Sequence, residues 1–243
     1  MTTFLIFIIR WAVSLTLLYS LYGVFLRRET FHSLNRIVLL IILTGSIILP
    51  FFHIETKQET ALSMGIRKAE SFVNEEQRTV ILLPIGKTMV TDKTPLHIEQ
   101  RTITISWIRL IVLLYLGGLS YFWLRYFRTL YILTRMIICN KRLQISEIPD
   151  ATIVIKTGLH TPCSWMNWIF LNHQDAKNPT ILAHELAHIR LRHSWDMLFC
   201  EITCNMLWFL PFTWLLRKDM KDIHEYQADQ RVIRQGFDEY GYQ

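Results

Sequence analysis

Charge is scarce in this sequence, and cysteine is scarcer. Only 19% of the 243 residues are Asp, Glu, Lys or Arg, below the ~25% usual in soluble domains. The four cysteines, Cys139, Cys163, Cys200 and Cys204, form no Cys-x-x-Cys pair and no framework spacing, which argues against a disulfide scaffold. Cys200 and Cys204 stand one helical turn apart inside an apolar run, where free cysteine packs as a small hydrophobe. No internal repeat or low-complexity tract is present, and a 51% hydrophobic composition argues against intrinsic disorder. A basic n-region is also missing from Met1-Thr2-Thr3, and no small-residue cleavage site precedes Arg27-Arg28. The first apolar run is therefore read as retained, not as a cleaved signal peptide.

What the sequence does have is four long stretches nearly free of charge. Residues 3–26 carry only Arg10, residues 37–54 none, residues 104–124 only Arg109, and residues 197–216 only Glu201. Each is close to the ~20 apolar residues that cross a ~30 Å hydrocarbon core, so the lipid bilayer is an expected partner. The net charge of +6 is unevenly spread. The 27–36 link holds three arginines against Glu29, the 55–103 loop holds seven basic and seven acidic residues, and 125–196 holds nine basic against five acidic. Short positive loops stay in the cytoplasm, which puts the 27–36 link inside, the neutral loop outside and everything after Arg125 inside. Positive charge tracks membrane boundaries here, so direct nucleic-acid binding is not expected.

Beyond the third span, residues 126–142 keep apolar residues at helical spacing (Leu130, Leu133, Ile137, Ile138), which extends that helix past the membrane. The β-branched run at 150–156 reads as a strand, Gly158 and Pro162 punctuate a turn, and residues 166–172 read as a second strand. Asn178-Pro179 opens a helix, with Asn at the N-cap and Pro at the first helical position. That helix is expected to run to about Trp195.

It carries His184-Glu185-Leu186-Ala187-His188. Two histidines four apart lie ~40° apart around a helix and can face one metal. Glu185 sits beside them, within reach of a water on that metal, as a zinc hydrolase requires. A catalytic zinc needs a third protein ligand. In one scheme it is a His six residues after the second, beyond a Gly turn. Those positions are Ser194 and Leu191, and His193, one residue short, is expected to be a surface or membrane-edge histidine. The other scheme takes a Glu from a later helix. Glu225 and Asp229, four apart on one helical face, fit it: Glu225 as zinc ligand, Asp229 as acceptor for the free ring N–H of a ligand histidine.

This ligand set conflicts with hydropathy at 197–216. A fourth crossing there would separate Glu225 from His184 and His188. The stretch also contains Glu201, Asn205 and Pro211, poor residues for a lipid-facing interior. We therefore expect a re-entrant pair of half-helices bent near Pro211, or a segment lying in the interface.

The 184–188 motif with its trailing His193-Ser194-Trp195-Asp196, the Trp-Phe-Leu-Pro-Phe-Thr-Trp segment at 208–214 and the Glu225/Asp229 pair resemble the Bla/Mec regulator family. These are bacterial membrane zinc metallopeptidases that include the beta-lactam sensor-transducers, and the resemblance spans nearly the whole chain. It implies an α-helical membrane protein with a small cytoplasmic α+β, zincin-like (gluzincin) domain. The organisation expected is a two-span hairpin at 1–54, an extracytoplasmic loop at 55–103, a third span at 104–127, and a metallopeptidase domain at 128–243. The resemblance implies His184, His188 and Glu225 as zinc ligands and Glu185 as general base. It also implies a substrate-lining segment that includes Trp165, Asn167 and Trp168, where an extended peptide could add as a strand. The activity implied is signal-relaying cleavage, in the inner membrane, of a protein such as a transcriptional repressor or the chain itself, with a homodimer left open. Family members usually continue past the Glu/Asp pair, so a fragment or a truncated member is expected. There is no penicillin-binding Ser-x-x-Lys module, so beta-lactam sensing does not carry over. A membrane quality-control metallopeptidase and an inert signalling scaffold are the alternatives.

Overall fold

The computed structural model describes residues 2–27, 31–52, 64, 65, 68, 71, 107–143 and 149–234. Most of the 55–103 loop lies outside them. Three helices are long and apolar enough to cross a membrane: α1 (Thr2–Phe25), α2 (His32–Ile48, extended by a 3-10 turn at Leu49–Phe51) and α3 (Trp107–Cys139). α3 runs unbroken for 33 residues, so the helix does continue beyond the apolar stretch, as the spacing of Leu130, Leu133 and Ile137 predicts.

The chain divides into two compact units, residues 1–6 with 54–120 and residues 7–53 with 121–243. In the first, Phe4 meets Tyr115 edge-on at 6.1 Å. The second holds everything that follows. α1 buries one stripe, Ile8, Trp11, Ala12, Leu15, Tyr19 and Tyr22, and α2 buries Asn35, Leu39, Ile42, Leu43 and Ser46. Both stripes follow the three-to-four spacing of a helix face. Trp11 donates its indole N–H to Ser46 at 3.1 Å, which satisfies both polar groups inside the hairpin. Leu17, Leu21, Ile37 and Ile41 point outward, 49–60% exposed, as a lipid-facing surface would.

The small sheet has the order β1 (Lys141–Leu143), β2 (Thr152–Ile155), β4 (Trp168–Leu171), β3 (Cys163–Trp165), with β2 and β4 parallel and both outer pairs antiparallel. The second strand is shorter than the pattern at 166–172 predicts. Met166, at φ 52°, and Asn167 form a two-residue turn joining β3 to β4, with Trp165 paired to Trp168. A strand residue cannot take that φ. Gly158 supplies the other reversal at φ 80°, where a side chain would be strained.

Helix α4 (Pro179–Arg190) opens as expected: Pro179 takes the first turn and the Asn178 side chain accepts the Thr180 N–H at 3.0 Å. Ile181, Leu182, Leu186 and Ile189 pack on Ile153, Ile155, Ile169 and Leu171 of the sheet. Each fully buried Ile or Leu contributes ~1.5–3 kcal/mol, so the apolar face of α4 fixes its orientation. The helix stops earlier than expected. It ends at Arg190, Arg192 turns left-handed at φ 58°, and α5 (His193–Met206) starts in a new direction.

The 197–216 stretch is two helices. α5 ends at Met206, residues Leu207 to Leu210 turn, and α6 (Pro211–Arg234) begins on Pro211. The turn closes through Thr213 Oγ1 donating to the Leu210 carbonyl at 2.7 Å and Trp214 Nε1 donating to the Trp208 carbonyl at 3.1 Å. Trp208 and Trp214 rest on Phe122 of α3, with ring centroids 6.0 and 5.4 Å away.

Candidate metal centre

The sheet-facing residues of α4 leave His184, Glu185 and His188 on the side turned to α6. There Glu225, one turn into the second half of α6, completes a group that could hold a metal ion. His184 Nε2 stands 3.0 Å from His188 Nε2 and 3.3 Å from Glu225 Oε2, and His188 Nε2 stands 3.7 Å from the same oxygen. Asp229, one turn further along α6, lies with Oδ1 3.0 Å from His184 Nδ1. All three donors therefore converge on one point, and Asp229 takes the outer nitrogen of His184, leaving Nε2 turned inward.

The electrostatics follow from this packing. Burial pulls the His184 imidazolium down, but Glu225, Glu185 and Asp229 outweigh it, and the pKa is raised. Glu225 is held well below the carboxylate range by hydrogen bonds to His184 and His188. Glu185 is 7% exposed. Burial raises its pKa, against a hydrogen bond from Ser164 and the neighbouring histidines. Two carboxylates on one site are thus pushed in opposite directions, Glu225 toward the ionised form and Glu185 toward the protonated one.

A cavity of about 960 Å³ opens onto these groups. Its walls include Ser164 and Trp165 of β3, Tyr126 of α3, and Glu201 and Arg217, which pair across the α5–α6 hairpin. β3 is an edge of the sheet, paired with β4 alone among the described strands. Of the residues expected to line a substrate path, Trp165 lies on this cavity. Asn167 lies on a separate one of about 590 Å³ with Asp150 and Trp195. The ring of Trp168 sits under the guanidinium of Arg142 at 5.4 Å.

His193 is not on the surface. It is 3% exposed, with Nδ1 2.8 Å from His188 Nδ1 and Nε2 3.1 Å from Gln227 Oε1. Its ring stacks on that of His224 at 3.9 Å and 9°. Burial, with His224, His188 and Arg36 nearby, pulls its pKa down to about 2, so it is neutral. The break at Arg192 produces this placement, and arginine gives no sequence signal for a left-handed residue. Two further residues stand behind the site: Asp196, which trails the 184–188 motif in the sequence but is given no role by it, and Arg36, which belongs to no motif. Asp196 accepts from Arg36 Nε at 2.7 Å and His224 Nε2 at 3.0 Å, and Arg36 Nη2 donates to the Leu191 carbonyl at 2.7 Å. The signal for Arg36 is charge: an arginine closing a polar link beside an apolar run.

Neither protein-family models nor curated proteins show a match to this chain.

Proposed function

We propose that this protein is a membrane-bound zinc endopeptidase of the Bla/Mec signal-transducing kind, with a zincin-like domain facing the cytoplasm of a bacterial cell. Its substrate would be a protein, either a transcriptional repressor or another part of its own chain. The observation that carries this reading is the meeting of three features on one cavity: the His184, His188 and Glu225 donors, the buried Glu185, and the open edge of β3. Ligands ~2.0–2.1 Å from a tetrahedral zinc stand about 3.3 Å apart, and the separations here run from 3.0 to 3.7 Å. Two imidazoles and one carboxylate suit zinc better than the hard, oxygen-seeking calcium or magnesium. Three protein donors leave a fourth position for substrate chemistry.

Zinc, when bound, polarises a carbonyl and lowers the pKa of water to ~7. The chain's own residues do the rest. The outer edge of β3, joined to no other described strand, would take an extended peptide as a further strand lying along the cavity. Glu185, poised by burial, takes the proton of the attacking water and returns it to the leaving amine. A purely structural metal site has no use for that carboxylate. The α5–α6 hairpin supports a re-entrant or interfacial position, because its turn carries Trp208 and Phe209, aromatics of the kind that settle at a membrane–water boundary.

Purified protein should hold close to one zinc per chain, and His188→Ala and Glu225→Ala should each lose most of it. Glu185→Gln should keep the zinc while proteolysis falls by ~10²–10⁴. Cleavage by that variant at the parental rate would sink the enzyme reading in favour of a scaffold.

A further inference from the structure

The proposed ligand set would use only two of the four imidazoles gathered here, and behind them His193, one of the stacked pair, belongs to a directed chain. Arg36 can only donate hydrogen bonds, so the Gln227 atom it faces at 3.4 Å is the carbonyl oxygen. That oxygen must then accept from His193 Nε2 at 3.1 Å, and His188, which turns Nε2 toward His184 and Glu225 as a ligand would, keeps its own proton on Nδ1. Across 2.8 Å, His188 Nδ1 must therefore be the donor, and the lone pair of His188 is left on Nε2. The far end of Gln227 is held as well, its amide donating to Ser33 Oγ at 3.4 Å.

We infer that His193 is a positioning residue for the metal: its Nδ1 accepts the Nδ1–H of His188 and holds the Nε2 lone pair of His188 toward the ion, in a direction set from the start of α2 by Arg36 through Gln227. The two ligand histidines are then oriented by different means. Asp229 holds His184 from α6, and His193 holds His188 from α5. The inference rests on the reading of His188 as a ligand, and it adds a residue on another helix and a tie to the start of α2.

The test measures zinc affinity of the full chain in detergent, by competition with a chelating indicator, alongside the visible spectrum of the cobalt-loaded protein. His193→Phe keeps a ring to stack on His224 but removes the acceptor, and its zinc affinity should fall ~10–100-fold, the usual loss when a ligand's partner is removed. His193→Asn puts an oxygen where Nδ1 was and should recover most of that loss, with a parent-like cobalt spectrum. His193→Gln puts its oxygen near Nε2 instead and should behave like the Phe variant. Undiminished affinity in His193→Phe overturns the inference, as does equal affinity in the Asn and Gln variants. Should His193→Phe lose its helical circular dichroism, the Asn-against-Gln comparison decides alone. A parent that binds no zinc overturns this inference together with the proposed function. A parent that binds zinc beside an unaffected Phe variant overturns this inference only.

Discussion

At Asp196, a carboxylate 8% exposed meets the Arg36 guanidinium at 2.7 Å and the His224 ring at 3.0 Å. Burial alone would raise its pKa, but the hydrogen bonds from His224 and Arg36 outweigh it, and the pKa is lowered. A lowered folded pKa means that the unfolded chain takes up the proton first. The stabilisation is therefore complete above the ordinary aspartate value of ~3.9 and is lost as pH falls through the lower folded value. Metal-free Asp196→Asn should melt at a lower temperature than the parent at pH 7. The gap between the two should narrow only below about pH 4, a range set by that ordinary aspartate value. Circular dichroism melts from pH 7 to pH 3 would check this, and a gap that already closes by pH 6 would contradict it. His193 teaches a different lesson at this scale. Its residue type permits a ligand, a surface group or a buried partner, and the choice depends on whether α4 continues past Arg190.

Among the elements, α6 does most to assemble the site. It brings Glu225 and Asp229 to α4, His224 and Gln227 to α5, and Asp219 to α1, where Tyr19 donates to its carboxylate at 2.8 Å and Arg27 at 3.2 Å. α2 is tied in by Arg36, and here the ion pair matters for stability. The side chains of Arg36 and Asp196 are 18% and 10% exposed, so removing one partner strands a buried charge. Arg36→Met should lower stability by about 3 kcal/mol, the low end for breaking a buried pair, read as a drop in the denaturation midpoint. Lys at the same position keeps the charge but not the three-way donation to Asp196, Gln227 and Leu191, and should restore only part of it. A midpoint unchanged in the Met variant would mean that the pair carries no net weight. The α5–α6 break, by contrast, is legible in the sequence. Pro211 cannot donate within a continuing helix, and a metal shared by residues on both sides of the stretch demands a return.

For the whole molecule, the membrane question becomes one of sides. The α1–α2 link and the start of α2 lie beside the candidate metal centre: Arg27 reaches Asp219, His32 stacks on Tyr226 at 4.7 Å, and Arg36 reaches Asp196. If α1 and α2 cross a bilayer, the link and the site share one compartment, and the proposal that this is the cytoplasm rests on the arginines of the link. Single cysteines at Ser33, Lys141 and Lys218, all exposed, in a background without the four native cysteines, should resist an impermeant thiol reagent added to intact cells. One at Lys87, which lies outside the described residues, should react. Labelling of position 218 alone from outside would separate Glu225 from the histidines and break the proposed site.

The sequence by itself determined the pieces whose cause is local. Long uncharged runs must be helices where no water can satisfy the backbone. Asn178-Pro179 starts a helix through its own side chain and ring, and the four-residue spacings of His184 with His188 and Glu225 with Asp229 place each pair on one face. Only the tertiary structure decided how the pairs meet. The left-handed Arg192 turns α5 so that His193 points inward, the short hairpin at Leu207–Leu210 swings α6 back over α4, and Arg36 arrives from a helix 155 residues earlier than Leu191, which it grips. Those contacts join residues far apart in the chain, and their geometry comes from burying apolar faces against one another, which no single segment encodes.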